Sequence, residues 1–126
     1  MEREFLPYQE SKDLKELGFN EKCAAHYLGE TDEDLELKWD IYRNMSINMT
    51  NLIQAPTYRQ AFRFLREKYN LRYTIGDTNI VVCHTPVNDY HTTQLLQNNA
   101  SYEDAELATI KFFIEKAQYY DGKVTI

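Results

Sequence analysis

The sequence is poor in glycine, with four in 126 residues, and no glycine-rich phosphate-binding loop is present. Cys23 and Cys83 are its only cysteines, too few for a disulfide framework and typical of a reducing compartment. No segment approaches the roughly 18 apolar residues of a membrane span. The first four residues, Met-Glu-Arg-Glu, are charged and do not resemble a secretory signal. We therefore expect a cytoplasmic protein that does not enter a membrane.

The overall charge is negative, with a formal net charge of −6. General binding to duplex nucleic acid depends on neutralising phosphates, so this charge argues against it. The chain is 43% hydrophobic and 27% charged, which is typical of a folded domain. Its length predicts a single domain over residues 1–126 with a real core.

Three helices are predicted from their ends. The first covers 9–17, where Gly18 and Phe19 fit a Schellman ending. The central helix follows Thr57, which forms a capping box with Gln60. The last helix follows Ser101, another N-cap residue.

Four strands are predicted from β-branched or alternating residues, at 22–28, 35–42, 71–75 and 79–85. The class is therefore α+β, in the order α-β-β-α-β-β-α. Hairpins favour antiparallel pairing, so we expect one four-stranded antiparallel sheet with the helices mainly on one face. We interpret 43–54 as a loop or irregular edge. The polar segment 86–100 is interpreted as holding a short element near 90–96.

Positive charge is concentrated around the central helix. From Pro56 to Tyr73 five basic residues face Glu67 alone, a net charge of +4, while the rest of the chain carries −10. Along the chain these basic residues alternate with aromatic ones. Together they form what we call the Arg/Tyr face, and its candidate binding residues are Arg59, Arg63, Arg66, Arg72, Tyr58, Tyr69 and Tyr73. Arginine and tyrosine hold nucleotide-like anions and are also common in protein interfaces. A solvated face paired with the protein's own carboxylates is the simpler alternative.

A second group of reactive residue types lies at Cys83, His84, Asp89 and His91. The spacing matches no zinc motif, and neighbouring strand residues such as Cys83 and His84 point to opposite faces. We predict no catalytic residue, metal ligand or cofactor, and keep an enzyme with a Cys/His site as a lesser alternative.

The last helix is apolar on two sides. Its main apolar arc runs through Leu107, Ile110 and Phe113, and a weaker one includes Ala108 and Phe112. Such a helix is deeply buried or docks on a partner, so a homodimer is also possible in this interpretation.

Three segments carry a resemblance: FLPYQES with LKELGF at the start, APTYRQAFRFLREKY in the centre, and YEDAELA near the end. Together they resemble small uncharacterised proteins of Bacteroidetes and their phages and prophages. The resemblance covers the three helices, under half of the chain, and the hairpins between them diverge. It carries over no catalytic residue, and it implies a mobile-element accessory protein that acts by binding a host component.

These observations support three functions in order. The first is a non-enzymatic protein that binds and modulates a host protein, for example a host-defence component. The second is a protein that sequesters an anionic, nucleotide-like small molecule on the Arg/Tyr face. The enzyme with a Cys/His site comes third.

Overall fold

Helix α2, Tyr58–Tyr69, begins directly after Thr57, the predicted N-cap residue of the capping box. The computed structural model describes residues 5–28, 36–39, 53–87, 90–97 and 99–122. The backbone N–H of Gln60 donates to Thr57 Oγ1 at 3.2 Å, and the backbone N–H of Thr57 donates to Gln60 Oε1 at 3.0 Å. Both ends of the box are therefore satisfied, and this prediction is confirmed.

Helix α1, Tyr8–Glu16, ends as the sequence predicts. The Phe19 amide donates to the Leu14 carbonyl at 2.9 Å, and the Gly18 amide donates to the Lys15 carbonyl at 3.1 Å. These two bonds define a Schellman motif. Gly18 has φ 106°, a value that favours glycine because it has no Cβ.

Helix α3, Tyr102–Tyr120, is the longest element. Ser101 caps it, since its Oγ accepts a hydrogen bond from the Asp104 amide at 3.1 Å. In the main apolar arc of this helix, Ile110 and Phe113 are buried. In the weaker arc, Ala105 is buried, whereas Ala108 and Phe112 are half-buried. No helix of the described residues is long and apolar enough to cross a membrane.

Within the described ranges the strands form two antiparallel sheets of three strands each. The first sheet has the order β2-β1-β3 and the second the order β4-β5-β6. Their bounds are Ala25–Leu28 for β1, Glu36–Trp39 for β2, Ile53–Ala55 for β3, Arg72–Ile75 for β4, Val81–Val87 for β5 and Tyr90–Leu96 for β6. The α+β class is confirmed, whereas the prediction of one four-stranded sheet is wrong.

Two further strands change the element order to α-β-β-β-α-β-β-β-α among the described residues. The strand β3 begins in the last two residues of the predicted loop 43–54 and ends at Ala55, and residues 43–52 lie outside the described part. It is three residues long and pairs with Ala25–Tyr27, too short to show a periodic pattern. The strand β6 pairs along the whole of β5. Its polar Thr93 and Gln94 are exposed at the sheet edge, which explains why hydrophobic alternation did not predict its length.

The chain divides into two compact units, Met1–Gln60 and Ala61–Ile126. The prediction of a single domain stays a prediction. In the first unit, Phe5, Ala25 and Ala55 form a buried cluster against which Tyr27 packs. The Tyr27 hydroxyl donates to the Leu6 carbonyl at 2.7 Å, which ties β1 to the segment before α1.

The second unit is built around aromatic rings. Phe62 of α2 lies 4.2 Å from Tyr73 of β4 and 6.3 Å from Phe113 of α3, measured between ring centroids. Phe113 is fully buried, and Leu65, Val81 and Ile110 lie in the same unit with no exposed area. These contacts fix one end of α2 against the sheet and α3.

The cap of α3 gives a first test. We expect Ser101→Ala to lower the free energy of unfolding by about 1 kcal/mol, because the Asp104 amide loses its acceptor. Urea unfolding followed by circular dichroism measures this. Ser101→Asp is the matched control, since its carboxylate accepts the same bond and should keep the stability. Equal unfolding midpoints for Ser101→Ala and the wild type would contradict this role for Ser101.

Candidate functional site: a basic pocket beside β4

The hairpin of β4 and β5 determines which side chains meet. Its turn is closed by the Gly76 amide, which donates to the Ile80 carbonyl at 2.9 Å, and Asn79 adopts φ 59°. This turn pairs Arg72 with His84 and Tyr73 with Cys83. Directly paired residues share a face of the sheet and neighbours along a strand alternate. Arg72 and His84 therefore lie on one face, and Tyr73 and Cys83 on the other.

An open pocket of about 330 Å³ lies along β4. Its lining comes from α2, from β4 with the residue before it, and from β5: Phe62, Arg66, Leu71, Arg72, Tyr73, Thr74 and His84. Both faces of the sheet contribute to this lining, because β4 is an outer strand of the second sheet in the part of the chain that the structure describes. The pocket thus wraps around the edge of the sheet.

The charge of this lining is positive. Arg66 and Arg72 contribute two guanidinium groups, and no carboxylate of the described residues lines the pocket. The Arg72 Nε donates to Asn70 Oδ1 at 3.2 Å, and Asn70 itself has φ 57°. This bond orients the guanidinium through a neutral partner, so the charge of Arg72 remains available to an anion.

Tyr73 forms the aromatic wall. Its ring packs at a tilt of 34° on Phe62 and is half-buried. Burial raises the pKa of Tyr73 to about 12, with Tyr102 and Glu106 acting in the same direction and Arg66 against them. The phenol therefore keeps its proton at neutral pH and presents a neutral hydroxyl.

The other predicted residues are placed elsewhere. The Tyr69 hydroxyl donates to Asp121 Oδ2 at 2.7 Å, and burial together with this carboxylate raises the pKa of Tyr69. Tyr69 thus joins the end of α2 to the end of α3. Arg63 is exposed on α2 and does not line the pocket. Tyr58 and Arg59 belong to the first unit.

The structure places two members of the Cys/His group, Cys83 and His84, on opposite faces of β5. Cys83 is fully buried, and burial raises the pKa of its thiol to about 11. A neutral thiol in an apolar core is a poor nucleophile. Asp89 and the side chain of His91 lie outside the described part of the chain. Within the described residues no three His, Cys, Asp or Glu side chains converge on a possible metal position.

No protein-family model, curated protein or solved structure matches the sequence.

His84 lines the pocket, whereas the sequence analysis groups it with Cys83, Asp89 and His91. Strand alternation predicts that Cys83 and His84 lie on opposite faces, but it does not give the register that brings His84 opposite Arg72. A tight turn over Gly76 to Ile80 fixes that register, because residues equidistant from the turn become partners. The turn residues thus contained the signal.

The buried thiol gives a second test. In native protein that carries Cys23→Ala, we expect Cys83 to react with a disulfide reagent at pH 8 at least about 100-fold more slowly than in urea. A pKa near 11 instead of 9.0 lowers the thiolate fraction by that factor, and burial adds to it. The absorbance of the released thiol follows the reaction. Fast labelling of the folded protein would contradict a core position for Cys83 and would revive the enzyme alternative.

Proposed function

We propose that this protein is a non-enzymatic binding protein, a mobile-element accessory protein that binds and modulates a host protein. The binding site in this proposal is the basic pocket, and the partner supplies an acidic group to it. The observation that carries the proposal is that Arg66, Arg72 and His84 line one pocket at the edge of β4. Pockets of this composition take carboxylates or phosphates through charge-assisted hydrogen bonds.

The shape of the pocket supports a macromolecular partner. Small-molecule sites bury most of their ligand, usually 70–90% of its surface or more. This pocket is open along the sheet edge and mixes polar with apolar lining. A side chain presented by a larger partner can reach Arg66 and Arg72 there, and the partner itself then excludes the water.

An anionic nucleotide-like molecule is the second candidate. Two observations favour it: the volume of about 330 Å³, which lies at the lower end of the range for ligand pockets, and the aromatic wall formed by Tyr73. Phe62 already covers one side of the Tyr73 ring, so stacking of a base would be limited to the remaining exposed part.

Charge reversal in the pocket tests the proposal. We expect Arg66→Glu and Arg72→Glu each to weaken binding of a glutamate-rich peptide at least about tenfold, because each removes a charge-assisted contact. Arg63→Glu is the matched control: it makes the same charge change on α2, outside the pocket lining, and should bind nearly as the wild type does. Fluorescence anisotropy with labelled peptide measures all four proteins.

The competing ligand is tested in the same assay. Adenine and guanine nucleotides are added as competitors, and thermal unfolding is recorded with each. Nucleotide binding that depends on Arg66 and Arg72, without peptide binding, would replace the first function by the second. Equal effects of Arg63→Glu and Arg72→Glu would show that net charge and not the pocket governs binding, and would overturn both.

A further inference from the structure

The outer edge of β4 offers backbone groups in a defined pattern. Among the described residues, β4 pairs with β5 alone. The hydrogen bond from Gly76 to Ile80 marks that pair as a hydrogen-bonded one, and hydrogen-bonded pairs alternate along an antiparallel ladder. Arg72 and Thr74 therefore direct their amide and carbonyl groups to β5. Those of Tyr73 and Ile75 point away from it.

Open space lies beside this edge. The pocket is lined by the consecutive residues Leu71, Arg72, Tyr73 and Thr74, and so it runs along the strand. Arg72 and Thr74 are exposed on one face, while Tyr73 and Ile75 are half-buried on the other. An edge strand with outward backbone groups and space beside it is a template for a further strand.

We propose that an extended acidic segment of a partner protein adds to the edge of β4 as a fourth strand of the second sheet. This inference rests on the proposed function and specifies how the partner binds. Backbone hydrogen bonds to Tyr73 and Ile75 hold the segment, and its side chains determine specificity.

The two faces of β4 require different side chains from that segment. On one face its residues lie beside Arg72 and Thr74, with His84 on the next strand, so acidic side chains fit there. On the other face they lie beside Tyr73 and Ile75, with Phe62 of α2 nearby, so apolar side chains fit. The structure thus selects a segment in which acidic and apolar residues alternate.

A second copy of this chain fits the edge less well than an acidic partner. Pairing β4 with β4 of another copy would bring the Arg66 and Arg72 side chains of both copies to one seam, where like charges repel. An acidic segment instead neutralises them. The sign of the charge at the pocket therefore favours a partner of opposite charge.

The test uses a short capped peptide that alternates glutamate and valine and matches β4 in length. Two derivatives carry backbone N-methyl groups, one on every glutamate and the other on every valine. In an added strand one of these sets faces β4, so we expect one derivative to lose at least about tenfold in affinity and the other to bind nearly as the parent does. Loss of binding by both derivatives or by neither overturns the edge-strand mode.

A glutamine–valine peptide separates the two proposals. If it binds as tightly as the glutamate peptide, and one N-methylated derivative still loses affinity, the acidic specificity of the proposed function fails while strand addition stands. If the glutamate peptide binds in an Arg72-dependent manner without N-methyl sensitivity, the proposed function stands and strand addition fails. Absence of peptide binding overturns both.

A protein variant provides an independent check. Ile75→Pro removes an outward amide that β5 does not use, so a folded variant is expected to lose the glutamate–valine peptide. Far-ultraviolet circular dichroism shows whether this variant is folded. If it is unfolded, the N-methylated peptides decide the edge-strand mode on the wild-type protein. Light scattering gives the molar mass of the wild type and of Ile75→Pro. A wild-type dimer that becomes a monomer in Ile75→Pro would show that a second copy of the chain occupies the edge, and would overturn the proposal.

Discussion

The second unit depends on the contact of three aromatic rings from three elements. Phe62 of α2, Tyr73 of β4 and Phe113 of α3 lie within 4.2–6.3 Å of one another, measured between ring centroids. Large rings contribute much of the apolar area in a small core, and tilted or edge-on pairs add about 0.5–1.5 kcal/mol each. Because Tyr73 is anchored on this side of the sheet, the residues next to it in β4 must face the other side.

This constraint creates the basic pocket. Alternation along β4 directs Arg72 and Thr74 to the exposed face, and the register of the hairpin brings His84 beside Arg72. Arg66 follows Phe62 by about one turn of α2, so it approaches from the side of the aromatic core. The aromatic core and the candidate binding site thus share Tyr73, whose half-buried ring packs on Phe62 and Phe113 and also forms the aromatic wall of the pocket.

Much of the local structure could be predicted from the sequence. The capping box of Thr57, the Schellman ending at Gly18 and the cap at Ser101 each involve residues within five positions of one another, and all three are present. The separation of Cys83 from His84 also followed from strand alternation. Of the predicted binding residues, Arg66, Arg72 and Tyr73 line one pocket, whereas Tyr69 bonds to Asp121 and Arg63 lies outside.

What the sequence determined by itself is therefore the α+β class, the three helices with their ends, and the concentration of positive charge around α2. These depend on side chains and backbone groups that are near one another along the chain. The tertiary structure decided the division into two sheets and the pairing of β3 with β1. It also brought Arg66 of α2 into the pocket that His84 of β5 lines. Such pairings join residues far apart in the chain, and their energy comes from long-range hydrogen bonds and burial that no local pattern encodes.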